Sequence, residues 1–157
     1  MRTLITVTVL FGLARTVAGA GPGDVAIIVN KANPVETLSP KELKQIFSGE
    51  KARWADGVKI ETFATGAVSP DHKSAIQFLF GMNEPDYQKL CMHAYFVGTP
   101  QAVPRDSGSS QAVLNLVKTT PGGIGFVRAD LVDPSVRVVR IGGKAPGEAG
   151  YLLAGSK

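Results

Sequence analysis

The chain has 157 residues, 44% of them hydrophobic and 19% charged, with 17 basic and 13 acidic side chains, 18 glycines, 10 prolines and one cysteine. That composition suits one compact domain and excludes low-complexity disorder, an intramolecular disulfide framework and a thiolate zinc cluster. Residues Met1–Ala20 read as a secretory signal: Arg2 precedes the apolar run Leu4–Leu13, and Ala18-Gly19-Ala20 gives a small-residue cleavage pattern near Ala20. Exported to the periplasm and cleaved there, the chain would keep 15 basic and 13 acidic residues, net +2. Its remaining cations are scattered, so no nucleic-acid partner is indicated.

Residues 21–157 are expected to form a single domain. The continuous run Val25-Ala26-Ile27-Ile28-Val29 predicts a strand within Asp24–Asn30 that is covered on both faces. After a turn at Asn33-Pro34, Ser39-Pro40-Lys41-Glu42 gives a full helix start. Ser39 stands as N-cap, Glu42 completes a capping box, Leu38 and Leu43 form a hydrophobic staple, and Gly49 ends the helix. Trp54, above the turn Asp56-Gly57, is expected to anchor in the core.

Alternation over Val58–Phe63 predicts a second strand. Ser69-Pro70 opens a helix that stops at Gly81, and Asn83-Glu84-Pro85 opens another that runs to about Phe96. In that third helix Tyr87, Leu90, Cys91 and Ala94 follow helical spacing, which predicts a buried Cys91. A loop over Gly98–Pro104 leads to Ser107-Gly108-Ser109-Ser110, the start of a fourth helix. Ile124–Val127 is expected as a strand with close backbone approach at Gly125, and Val136–Ile141 as a last strand. The apolar patch Tyr151-Leu152-Leu153 is expected to dock the terminal loop on the core. Strands interleaved with helices predict an α/β sandwich.

Thr65–Ser74 joins a strand end to a helix N-terminus, where unpaired N–H groups and the helix dipole attract anions. Thr65, Gly66, Ser69, His72 and Ser74 are therefore the candidate ligand-binding residues, although Asp71 in the same turn repels an anion. Ser107–Ser110 offers a second such start, read as a solvated loop. Neither a Walker pattern nor a dinucleotide fingerprint is present, so no nucleotide cofactor is indicated. His72 and His93 are the only imidazoles, and the sequence shows no metal-ligand spacing around them. A hydrolase would have to combine a serine with His72 and Asp71, but neighbouring helix residues diverge by about 100° and no nucleophile elbow occurs. Both are read instead as solvated first-turn residues.

Three segments together resemble the phosphate-binding proteins of ABC importers. The first is Val29-Asn30-Lys31-Ala32-Asn33-Pro34-Val35 with Leu38-Ser39-Pro40-Lys41-Glu42-Leu43-Lys44-Gln45-Ile46-Phe47-Ser48-Gly49, Trp54 and Asp56-Gly57. The second is Val117 to Phe126, containing Thr120-Pro121-Gly122-Gly123-Ile124-Gly125-Phe126, and the third is Val138–Gly143 leading to Tyr151-Leu152. The resemblance implies a three-layer α/β sandwich like one lobe of a type II periplasmic binding protein. It further implies a non-enzymatic protein that binds phosphate or a similar small oxyanion in ABC-type transport, with no cofactor. Ser69 matches the family serine, Pro70 and Asp71 replace its glycine and threonine, and Ala64-Thr65-Gly66 occupies the region of a family arginine. The alternative reading is a periplasmic interaction or sensor module that has lost its ligand and meets an importer, another periplasmic protein or a second copy of itself.

Overall fold

The computed structural model describes residue 21 and residues 23–155, so the secretory-signal reading of residues 1–20 lies outside the described residues. One six-stranded mixed sheet forms the middle layer. Its strands are β1 (Val25–Asn30), β2 (Thr37–Leu38), β3 (Glu61–Ala64), β4 (Arg105–Asp106), β5 (Gly123–Arg128) and β6 (Val136–Ile141), in the order β2-β6-β1-β5-β3-β4. β1 runs antiparallel to both neighbours, β5 and β6, whereas β3 runs parallel to β4 and β5.

Every residue of β1 is buried, as its uninterrupted apolar run requires. Val25, Ile27 and Val29 face the core under the helices α1 (Pro40–Phe47), α2 (Pro70–Phe80) and α3 (Glu84–Phe96). Ala26 and Ile28 face the opposite core under α4 (Ser110–Thr119). The result is the three-layer α/β sandwich expected from the sequence.

Side chains at both ends of β1 tie it down. Asn30 Nδ2 donates to the carbonyls of Val117 and Lys118 at 2.9 Å each, which satisfies carbonyls left open at the end of α4. The Asp24 carboxylate accepts from the N–H groups of Gly21 (3.0 Å), Gly147 (2.8 Å) and Gly155 (2.9 Å). Tyr151 donates its hydroxyl to the Val25 carbonyl at 2.7 Å, and Leu153 is buried beside it, while Leu152 points outward.

The helix starts follow local chemistry. At α1 the Ser39 hydroxyl accepts from Glu42 N–H at 3.2 Å, the Glu42 carboxylate accepts from Ser39 N–H at 3.1 Å, and Leu38 and Leu43 are both buried. Gly49, just past the helix, adopts φ +78°, and Gly81 ends α2 at φ +67°. Asn83 caps α3 through Asp86 N–H, and Ser109 caps α4 through Ala112 N–H.

Two expectations need correction. The strand predicted over Val58–Phe63 starts at Glu61 and continues to Ala64. Val58 and Lys59 belong instead to a turn closed by Trp54 N–H donating to the Val58 carbonyl at 2.9 Å, with an Arg53–Lys59 bridge beside it. Cys91 is only half-buried. α3 lies on α2 and on the short turn Pro100–Ala102 rather than on the sheet, so only the line through Tyr87 and Ala94 is fully covered.

Trp54 reaches the core as expected, and its indole N–H donates to the Gly122 carbonyl at 3.1 Å. A Cβ at Gly122 would overlap the Lys59 carbonyl oxygen, a clash that only backbone displacement relieves. Gly122→Ala should therefore lower the unfolding free energy by about 3 kcal/mol. Urea denaturation followed by the fluorescence of Trp54, the single tryptophan, checks this; an unchanged midpoint contradicts it.

Candidate functional site

β3 and β4 lie side by side and parallel, with carboxyl ends at Ala64 and Asp106. The chain leaves β3 toward α2 on one face of the sheet and leaves β4 toward α4 on the other. In open α/β sheets such a switch of direction opens a crevice outside the strand ends, where ligands bind. The two loops touch: Ser107 N–H donates to the Ala64 carbonyl at 2.9 Å, and a Cβ at Gly66 would meet the Gly108 carbonyl oxygen at 2.7 Å. Gly66 is therefore required for this approach.

The first turn of α2 projects into this region. Ser69 has the extended backbone of an N-cap and Pro70 occupies the first helical position, yet the Ser69 hydroxyl makes no capping bond. It is half-exposed, and the N–H groups of the turn have no side-chain acceptor. Thr65 is fully buried with Oγ1 lacking a hydrogen-bond partner. By contrast, the hydroxyls of Ser107 and Ser109 are engaged locally, with the Arg105 carbonyl and Ala112 N–H.

Asp71 and His72 are not the solvated residues anticipated: they are only 2% and 3% exposed. α2 packs against β5 and β1, and its first turn is covered by α3 on one side and by the end of β5 on the other. His72 Nδ1 lies 2.5 Å from the Thr65 carbonyl, which can only accept, so this nitrogen carries the proton. Its Nε2 lies 3.3 Å from Glu84 Oε2, within ion-pairing distance, although neither atom has a hydrogen-bond partner. The ring packs edge-on to Tyr87 at 5.7 Å between centroids. Both Asp71 carboxylate oxygens are buried without donors.

The divergence of neighbouring helix positions sends these side chains to different concavities. A cavity of about 210 Å³ is bounded by Pro70, Asp71, Ser74 and Arg128 with Gly23 and Gly155. Another, of about 350 Å³, is bounded by Ala64, His72, Glu84, Tyr87, Tyr95 and Asp106 among others. Of the sequence-derived candidates, then, Ser74 opens to the first and His72 to the second, Thr65 is buried behind His72, and Gly66 and Ser69 form the connecting loop. Arg128 carries no local signal in the sequence. It ends β5, which pairs in parallel with β3, so topology alone brings its guanidinium beside α2. There it donates to Asp130 through Nε at 3.0 Å and through a second, shorter contact.

Among the described residues no group of three or more His, Cys, Asp or Glu side chains comes together to hold a metal ion. No helix of the described residues is long and apolar enough to cross a membrane.

A family model described as the PBP superfamily domain matches residues 20–143. The chain belongs to this family. Among solved structures, the PBP domain is similar to an ABC-type phosphate transport receptor from Vibrio cholerae, with TM-score 0.67 and 22% identity over 84% of this chain and 53% of that one. PstS from Borrelia burgdorferi gives TM-score 0.61 and 16% identity over 85% of this chain and 55% of that one. A phosphate-binding protein from Stenotrophomonas maltophilia gives 0.58 and 19% over 80% and 41%. At these identities the likeness shows the fold, and this chain spans about half the length of each relative. No curated protein sequence matches it.

Burial, reinforced by the fields of Cys91, Glu84 and Asp106, holds the Tyr87 phenol well above the ordinary tyrosine range. A group raised in this way supports the fold fully below its unfolded value of about 10, and that support is lost as pH climbs toward the folded value. Unfolding titrations above that pH should show declining stability, with a shallower decline in Tyr87→Phe. Equal slopes for the two proteins would contradict the assignment.

Proposed function

We propose that this PBP domain is an exported, non-enzymatic binding domain that takes phosphate or a similar small oxyanion at the start of α2 and acts in ABC-type transport. The observation that carries this reading is the uncapped first turn of α2 at the carboxyl ends of β3 and β4, with the Ser69 hydroxyl unengaged. Ser69 would donate to the anion together with backbone N–H groups, Thr65 would supply the buried hydroxyl, and Gly66 would let the loop close in. Arg128, bordering the same turn, adds a cation where the segment between β3 and α2 has no arginine. A phosphate transport receptor and a phosphate-binding protein stand among the solved relatives, which supports this choice of anion. The periplasm is the compartment consistent with the signal-like residues 1–20.

A second reading has specific support. Asp71 places an unpaired carboxylate in the same turn, and Met92, Tyr95, Phe96 and Val97 leave an apolar surface exposed at the end of α3. Both features suit an interaction module, facing another periplasmic protein or a second copy, better than an anion receptor.

Isothermal calorimetry of the ligand-stripped chain with phosphate, and with sulfate as control, separates the two. The receptor reading expects saturable phosphate binding that weakens by about tenfold or more in Ser69→Ala, the loss of one hydrogen bond to a charged ligand. Absence of heat with both anions would reject the receptor and leave the interaction module.

A further inference from the structure

Two separate segments flank the outer edge of β3, and they do not meet. At its amino end the chain after α1 lies alongside, with Ile60 N–H donating to the Ala52 carbonyl at 2.9 Å and an Arg53–Lys59 bridge next to it. Toward its carboxyl end β4 takes over, but it pairs only with Phe63 and Ala64. A notch is left at Glu61 and Thr62. Glu61 N–H donates to the Gly122 carbonyl at 3.1 Å on the β5 side, and successive residues of a strand turn their N–H groups to opposite edges, so Thr62 N–H points into the notch. Among the described residues no backbone carbonyl accepts from it.

The notch opens on a cavity of about 300 Å³, room enough for a small organic molecule. Ala52 and Pro100, both exposed, and the edges of Ile60 and Val103 give it apolar walls. Its inner end is closed where the chain leaving α1 meets the turn before β4: a Cβ at Gly49 would lie 2.6 Å from the Gln101 carbonyl oxygen. Three cations border the space, Lys51, Lys59 and Arg105, against one acid, Glu61. Lys51 is paired with Glu42 at 3.4 Å, whereas the exposed side chains of Lys59 and Arg105 have no ion-pair partner among the described residues. A cation would meet the wrong charge here, and a bare inorganic anion would leave the apolar walls unused. An anion with an apolar body satisfies both.

We propose that this notch binds a small organic carboxylate, which accepts from Thr62 N–H and the Arg105 guanidinium while its apolar body lies against Ala52, Ile60, Pro100 and Val103. The planar fork of arginine matches a carboxylate, and Lys59 adds to the attracting field. The site stands at the amino end of β3, whereas the oxyanion turn follows its carboxyl end, so it does not depend on phosphate binding.

A heteronuclear NMR titration of the full chain with benzoate, and with benzamide as its neutral counterpart, tests this. Benzoate should shift the Thr62 amide resonance saturably and bind at least about tenfold more tightly than benzamide, the increment of a charge-assisted hydrogen bond. Arg105 and Glu61 are both exposed, so each can be replaced with the fold intact. Arg105→Gln should weaken benzoate by about tenfold, and Glu61→Gln should tighten it several-fold by removing the opposing charge. Equal affinities for the two probes, unchanged benzoate affinity in Arg105→Gln, or no saturable shift of Thr62 at millimolar benzoate would each overturn the proposal. So would a response confined to the turn around Ser69, which would assign the carboxylate to the start of α2 instead.

Discussion

A strand without an exposed side forces an arrangement on everything around it. β1 is buried from Val25 to Asn30 and hydrogen-bonded on both edges, so the chain must supply a strand to each edge and helices to each face. α1 and α2, backed by α3, cover one face and α4 the other. Crossing from one face to the other after β3 and β4 then brings two loops together at the carboxyl ends of adjacent strands. The site region is thus a consequence of how the central strand is enclosed.

Where a feature depends on residues a few positions apart, the sequence is sufficient to read it. The α1 capping box needs only Ser39 and Glu42, with Leu38 and Leu43 stapling over it, and both ends of the exchange form as anticipated. The apolar run of β1 and the glycine stops at Gly49 and Gly81 are similarly local. Close approach at Gly125 was also legible, because a glycine inside an apolar strand forgoes a buried side chain and so marks a place where a neighbour packs onto the backbone. A Cβ there would lie 2.6 Å from Val113 Cγ1.

The candidate site was legible only in part. The Ser69-Pro70 signature located the helix start, yet nothing near Asp71 or His72 in sequence announces that α3 and the end of β5 close over them. First-turn polar residues usually face water, and tertiary packing overrides that tendency here. Arg128 depends on strand order, which no local pattern encodes, and Cys91 depends on which surface α3 rests upon. β4, with two residues, is too short to carry any periodicity. The residues that sequence grouped as one site consequently divide between the two sides of a single helical turn.

The outermost strands of the sheet, β2 and β4, contribute two residues apiece. A polypeptide seeking to extend β2 or β4 would find only two residues to pair with, too few for a stable ladder. Fibril-like growth and strand exchange between copies are thereby discouraged, even though the interior strands are rich in valine and isoleucine. Association through either outermost strand would therefore draw on side chains of the helical layers more than on backbone pairing.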